Sequence, residues 1–321
     1  MKMKRFIVFL TMLMLVTAAG LAGCGRQEDA GAPSPADTPG AVTFTDDLGR
    51  TLTVNHPERV VCLISSFTDI WCQSGGADSV AAATDATWRY FDLPLDETVV
   101  NLGGTKDLDM EKLIACEPDL ILASCGAESN VELQETFDDM GVPTAFFSVE
   151  TFDDYLRMLK VCTDINGRPD LYESAGEAVR EQVNAALNRQ DGSGPSVLYI
   201  RATGSSCKVK SREGTVLGRM LADLGCVNIA DSDAGLLEQL SLEAIMRDDP
   251  DYIFVILQSA DPTEAEAVLR TTLLDNPAWA SLTAVREDRC FILDSALYNL
   301  KPNARWGEAY EKLADILYPQ A

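Results

Sequence analysis

Residues 109–122 read Asp109-Met110-Glu111-Lys112-Leu113-Ile114-Ala115-Cys116-Glu117-Pro118-Asp119-Leu120-Ile121-Leu122. Residues 241–254 read Ser241-Leu242-Glu243-Ala244-Ile245-Met246-Arg247-Asp248-Asp249-Pro250-Asp251-Tyr252-Ile253-Phe254. In each, a capping residue opens a short helix, an acidic-Pro-Asp turn ends it, and an apolar run follows as a buried strand. Aligned without a gap, Glu111 falls on Glu243, Leu113 on Ile245, Pro118 on Pro250 and Asp119 on Asp251. Helix-Pro-strand turns are common where helices and strands alternate. The glutamate at the same offset before the proline is what points to a duplicated lobe.

Working outward, strand-like runs alternate with helical stretches on both sides of the repeat. In the first half they are 59–64, 80–84, 120–124 and 144–148; in the second, 197–201, 227–230, 252–257 and 290–294. That alternation predicts an α/β fold with parallel sheets. Between the halves the period changes. Phe152, Tyr155, Leu156, Leu159 and Cys162 mark one face of a helix over 151–165. After Asn166-Gly167-Arg168-Pro169 a second helix is expected over 170–190, with Leu171, Ala175, Ala178, Val183 and Leu187 as its apolar positions. The division is thus an N-terminal α/β lobe over 43–150, a helical linker over 151–194 and a C-terminal α/β lobe over 195–321. A helix resists bending, so the lobes should hinge little.

The amino end predicts a compartment. Lys2, Lys4 and Arg5 precede an apolar run from Phe6 to Val16, too short to span a bilayer, and Leu21-Ala22-Gly23-Cys24 follows. This ending resembles the lipobox of bacterial lipoproteins. Residues 1–23 then read as a lipoprotein signal peptide, Cys24 as the lipidated residue, and 24–42 as a lipid-bearing flexible tether. The chain would be extracytoplasmic and held to the bacterial cell membrane by that anchor. With 50 acidic against 26 basic residues the formal charge is −24, and losing residues 1–23 removes three cations more. So acidic a surface excludes nucleic acid as a partner. Of the other eight cysteines, no two form a C-x-x-C pair; buried free thiols are the first expectation, one disulfide the second and a metal cluster the third.

The chain resembles the helix-linked class of ABC-importer substrate-binding proteins that take ferric siderophores, haem or vitamin B12. The resemblance is carried by Asp47-Leu48-Gly49-Arg50, Pro57-Glu58-Arg59-Val60-Val61 and the Glu111 and Glu243 passages. Gly225 to Asn228, Asn276-Pro277-Ala278-Trp279, Leu282-Thr283-Ala284-Val285 and Tyr318-Pro319 complete it. It implies two Rossmann-like lobes with parallel sheets, joined by a long rigid helix, with the ligand cleft between them. It also implies a monomer that uses no cofactor and carries a metal complex as cargo to a permease dimer and its ATPase. Glu111 and Glu243, one per lobe, are the residues it implies for docking on permease arginines.

Ligands of open α/β sheets sit at the carboxyl ends of strands. In the first lobe that places Ser66, Phe67, Trp88, Arg89, Tyr90, Gly104, Thr105 and Ser124 at the cleft. In the second it places Arg201, Lys208, Gln258, Tyr298, Lys301, Asn303 and Arg305. Aromatic rings could stack on an aryl-rich ligand while cations meet its carboxylates or catecholates. Where the family pattern has Tyr-Pro after the second strand, this chain has Tyr90-Phe91-Asp92-Leu93-Pro94, so that wall differs.

Rival readings have less to stand on. A site for bare zinc or manganese needs several imidazoles, and the chain has one histidine, His56, before Pro57. An exported hydrolase would need that same histidine for a Ser-His-Asp triad, and no Gly-x-Ser-x-Gly elbow is present. The chain therefore reads as a binding protein rather than an enzyme. Its expected ligand is a ferric siderophore ahead of haem, with a cobalamin-type corrinoid as the alternative. Cys24→Ala should move the protein from the membrane fraction to the soluble one, because one residue carries the anchor. Unchanged membrane association on fractionation would contradict the lipobox reading.

Overall fold

The computed structural model describes residues 40–259 and 261–320. The signal peptide, Cys24 and the tether up to residue 39 lie outside the described residues. The chain enters through an antiparallel hairpin, β1 (Val42–Thr45) and β2 (Thr51–Val54). Its turn is closed by Asp46, whose carboxylate accepts from the Leu48 and Arg50 amides, and Gly49 sits at φ +78°, where a β-carbon would be strained.

The first lobe's sheet contains β3 (Val60–Cys62), β4 (Val80–Ala83), β5 (Val100–Asn101), β6 (Leu120–Ser124) and β7 (Thr144–Phe147). Its order is β5-β4-β3-β6-β7 and every pair is parallel. Its helices are α1 (Ser65–Trp71), α2 (Ala86–Tyr90), α3 (Met110–Ala115), α4 (Glu128–Val131) and α5 (Gln134–Asp139). The linker helices are α6 (Phe152–Ile165), α7 (Pro169–Tyr172) and α8 (Ala178–Leu187).

The second lobe's strands are β8 (Ser196–Ala202), β9 (Cys207–Lys210), β10 (Val227–Asn228), β11 (Tyr252–Leu257) and β12 (Cys290–Leu293). They run parallel in the order β10-β8-β11-β12, with β9 added antiparallel on β8. Its helices are α9 (Val216–Asp223), α10 (Ala234–Glu238), α11 (Leu242–Asp248), α12 (Pro262–Leu269), α13 (Thr283–Arg286), α14 (Ser295–Tyr298) and α15 (Trp306–Leu317). The sequence pattern placed the parallel strands other than the two-residue β5, and missed the entry hairpin and β9, whose alternate lysines read as a charged loop. All eight cysteines of the described residues are free.

The repeat is realised bond for bond. Leu113 of α3 and Ile245 of α11 are both fully buried. The residues before the two prolines, Glu117 and Asp249, both adopt the left-handed conformation, at φ +46° and +37°. After the prolines, Asp119 accepts from the Glu58 amide and Asp251 from the Ser196 amide, each at 2.8 Å. Each aspartate thereby ties the helix-to-strand turn to the start of its lobe's first strand.

The linker differs from a single rod. α6 is sealed by a capping box between Thr151 and Asp154. Its Tyr155 hydroxyl lies within hydrogen-bond reach of Gln73 of the first lobe (3.1 Å) and the Ala175 carbonyl (2.9 Å). Helices α7 and α8 then form one helical run, 169–187, through a wider turn at Glu173–Glu177. That run is backed by α15, from the end of the second lobe: Val179, Val183 and Ala186 join Trp306, Ala309, Tyr310 and Leu313 in one core. The same apolar cluster reaches Val60 and Leu120 of the first sheet and Val197 and Phe254 of the second. A two-helix spine, not one helix, spans the lobes. The two helices leave no room for a side chain at Gly307, where a β-carbon would sit 2.6 Å from Cβ of Gln182. Gly307→Ala should force the two helices apart and cost ~1–3 kcal/mol of stability; an unchanged melting temperature would show that the spine has slack.

Candidate functional site

A cavity of about 360 Å³ opens where the carboxyl ends of both sheets meet. Ile64 follows β3, Ser124 ends β6, and Ser148 to Glu150 follow β7 from the first lobe. Arg201 of β8, Thr215 before α9, Gln258 after β11 and Lys301 after α14 close it from the second. A hollow of about 400 Å³ at the opposite edge of the first sheet, lined by Glu58, Arg59 and Lys112 among others, draws on one lobe only.

The second lobe charges this cleft positively. In the β8–β9 pair Arg201 lies opposite Lys208 and Tyr199 opposite Lys210. Residues directly opposite share a face, so these four side chains form one patch. The Arg201 guanidinium donates to the Tyr199 hydroxyl at 3.0 and 3.3 Å and lies 5.9 Å from the centre of its ring. Burial holds the Lys301 ammonium below the usual lysine range; Glu150 opposes that and Arg201 adds to it. Lys210 is lowered as well, by burial first and then by Arg201 and Lys208. Among the described residues, no carboxylate lies within 4 Å of Arg201, Lys208, Lys210 or Lys301. Many other cations are paired, as Arg157 is with Asp47 and Arg305 with Glu308. Leaving the partly buried members of this set, Arg201, Lys210 and Lys301, unpaired costs stability.

The other expected positions divide by orientation. Ser124 sits in the wall, its Oγ accepting from the Gly126 amide. Lys208 is exposed on β9, at the patch but not on the cavity lining. Trp88 and Tyr90 stand exposed on α2, and Arg89, between them, is held by Asp85; none lines the cavity. Gly104 is an open turn position, and the Thr105 carbonyl is used by the Ser129 hydroxyl.

Five expectations need correction. Phe67 is fully buried, its ring edge-on to Phe147, because α1 starts at Ser65 and turns the third residue onto the sheet. Ser66 is buried and its carbonyl is taken by Asn303. Tyr298 is buried with its hydroxyl donated to the Ala309 carbonyl, and burial pushes its pKa up. Asn303 is a strap between lobes: its amide donates to the Ser66 carbonyl (2.9 Å) and the Asp69 carboxylate (2.7 Å). Arg305 is exposed and doubly bonded to Glu308. Conversely, Ser148, Glu150 and Thr215 line the cavity unforeseen. Strand-end logic applied to β7 would have found the first two; nothing local marks Thr215.

Glu111 and Glu243 are the second residues of α3 and α11, behind the caps Asp109 and Ser241. Both are exposed and neither makes an ion pair among the described residues. Each helix leads straight into a strand running the other way, so both amino ends lie at the cleft edge of their sheets.

With that geometry in place, the chain belongs to the family described as periplasmic binding protein, whose model matches residues 60–297. Among its relatives is the ABC transporter substrate-binding lipoprotein YvrC of Bacillus subtilis, 24% identical over 316 residues and 95% of each chain. The petrobactin-binding protein YclQ of the same species is 25% identical over 314 residues, 93% of each chain. The periplasmic vitamin B12-binding protein BtuF of Vibrio cholerae has a similar solved fold, at TM-score 0.67 and 19% identity, over 82% of this chain and 97% of that one.

The depressed lysine makes a test that needs no ligand. Lys301→Met should raise the stability of the empty protein by ~1 kcal/mol, because it removes a desolvated cation beside Arg201 and keeps the stem. A lower melting temperature by calorimetry would mean that the charge is already compensated.

Proposed function

We propose that this chain is the extracytoplasmic substrate-binding component of an ABC importer, lipid-anchored through Cys24, and that its cargo is an anionic metal chelate of the ferric siderophore type. The observation that carries the reading is the set of unpaired cations, Arg201 and Lys301 foremost, at a cleft built from both lobes. Lys208 and Lys210 extend the positive field along β9, Lys208 opposite Arg201 and Lys210 one pleat back opposite Tyr199. A ferric complex with carboxylate or catecholate oxygens supplies what these groups lack. YclQ, named for a siderophore, supports the same class.

Haem fits less well. Its iron would need a protein ligand; His56 lies exposed in the entry loop, the Tyr298 hydroxyl is already committed to Ala309, and neither Tyr90 nor a methionine lines the cavity. A corrinoid is the reading to which the proposal yields if apolar surface, not charge, holds the cargo; the BtuF fold supports it. Delivery follows from Glu111 and Glu243, which would seat the lobes on permease arginines with the cleft over the pore.

The test is native mass spectrometry of the protein with ferric catecholate and carboxylate siderophores, haem and cobalamin. The expected result is retention of an anionic ferric complex. Tryptophan quenching on titration of that complex should then show a loss of about ten- to a hundred-fold in affinity for Arg201→Ala or Lys301→Ala, the value of a buried charge-assisted contact. Retention of cobalamin alone, or wild-type affinity in both variants, would overturn the siderophore reading.

A further inference from the structure

The duplicated helices share more than their glutamates. In the gapless alignment Ile114 falls on Met246, three residues beyond Glu111 and Glu243. Residues three apart lie on one helix face. Both side chains are among the exposed large hydrophobics, Ile114 at 53% and Met246 at 40%.

A single exposed aliphatic residue is ordinary. The pattern of divergence around these two is not. Surface positions between and after them have drifted to unlike chemistry: Lys112 faces Ala244 in the alignment, and Ala115 faces Arg247. The positions that kept their character are the buried Leu113 and Ile245, the half-buried Met110 and Leu242 packed against the cores, the left-handed turn residues with their prolines and aspartates, and four exposed side chains. Core packing and turn geometry account for the first groups. Neither accounts for an exposed carboxylate and an exposed aliphatic side chain held in register in both lobes.

We propose that Ile114 and Met246 are paired apolar knobs which, with Glu111 and Glu243, form a two-part docking surface for a partner built of two like halves. Each half offers a cation for the glutamate and, one helical turn away, an apolar socket for the knob. Charge complementarity names the polar half of the socket, since both glutamates lack an ion partner among the described residues and stand at the cleft edge. The repetition names the symmetry: a surface presented once per lobe fits a dimeric partner face better than a continuous one. This rests on the importer reading above, and the partner is the permease dimer. The glutamates would steer and register the complex, while the knobs supply the desolvated contact that slows its dissociation.

The experiment measures capture of wild-type and variant chains by nanodisc-held permease–ATPase complexes of the source organism, using biolayer interferometry on the complex that binds wild type. Ile114→Ser and Met246→Ser should each weaken capture by about tenfold and the double variant by more, as expected for withdrawing one buried aliphatic side chain per socket. Ile114→Leu and Met246→Leu should bind as wild type, and cargo affinity should be unchanged in all four. Glu111→Ala and Glu243→Ala run beside them. If the glutamate variants lose capture and the serine variants do not, the knobs are overturned while the docking reading stands. If neither set loses capture, or no complex binds wild type, the docking reading itself falls. Loss in only one serine variant overturns the two-halved surface, and equal loss in the leucine variants overturns the socket.

Discussion

The packing of the 169–187 helical run against α15 is the constraint on which the rest of this molecule depends. Neither sheet could hold its position relative to the other through the cleft, whose walls are polar and charged. The spine does it from behind. Its apolar face is continuous with the cores of both lobes, so bending it would strip side chains from both sheets at once. Gly307 lets the two helices approach until Gln182 fills the space a β-carbon would need. Asn303 adds a strap near the cleft, held at φ +54° with its amide on Ser66 and Asp69 of α1. Burial raises the Asp69 carboxyl above the usual range, opposed by hydrogen bonds from Asn303 and Gln73. Packing of this kind should confine motion about the spine to small tilts.

That rigidity gives the cleft its chemistry. A site that barely closes cannot gather distant charges around its cargo; they must already be in place. Arg201 and Lys301 are in place, one on a strand end and one after α14, and the empty protein bears their repulsion and desolvation. Stability is given up at the site and regained through the spine, a division expected where function requires uncompensated groups. The overall negative charge does not oppose this. The field inside a cleft is set by its nearest groups, and outside it the acidic surface screens nonspecific contact with other anions.

The sequence revealed the architecture and half-revealed the site, for physical reasons that differ by residue. Parallel strands buried on both faces read as apolar runs, so β6 and β11 were placed to the residue. β9 escaped because one of its faces carries lysines at alternate positions, which imitates a solvated loop. Among site residues, those at or next to a strand end, Ser124, Arg201 and Gln258, fell on the cavity wall, and Lys301 reached it from beyond α14. Those one turn into a following element did not. There the phase of the helix decides, and it turned Phe67 and Tyr298 into the core and left Trp88 outside. Asn303 was misread because its role lies across the lobes, 237 residues from Ser66, where local pattern carries no information.

The repeat was the most legible feature, and it proved deeper than its letters, extending to left-handed turn residues and matching aspartate bonds. Such agreement from residue choice to backbone geometry marks features that the fold requires. What it could not convey is the identity of the cargo, which depends on where a few side chains point. A crystal structure of the protein with its bound metal chelate tests the central claim most directly. The account predicts anionic ligand oxygens within about 3.2 Å of both the Arg201 guanidinium and the Lys301 ammonium, with the 169–187 run and α15 unmoved. A chelate seated in the cleft with its anionic groups turned to solvent, or lodged at the opposite edge of the first sheet, would contradict it.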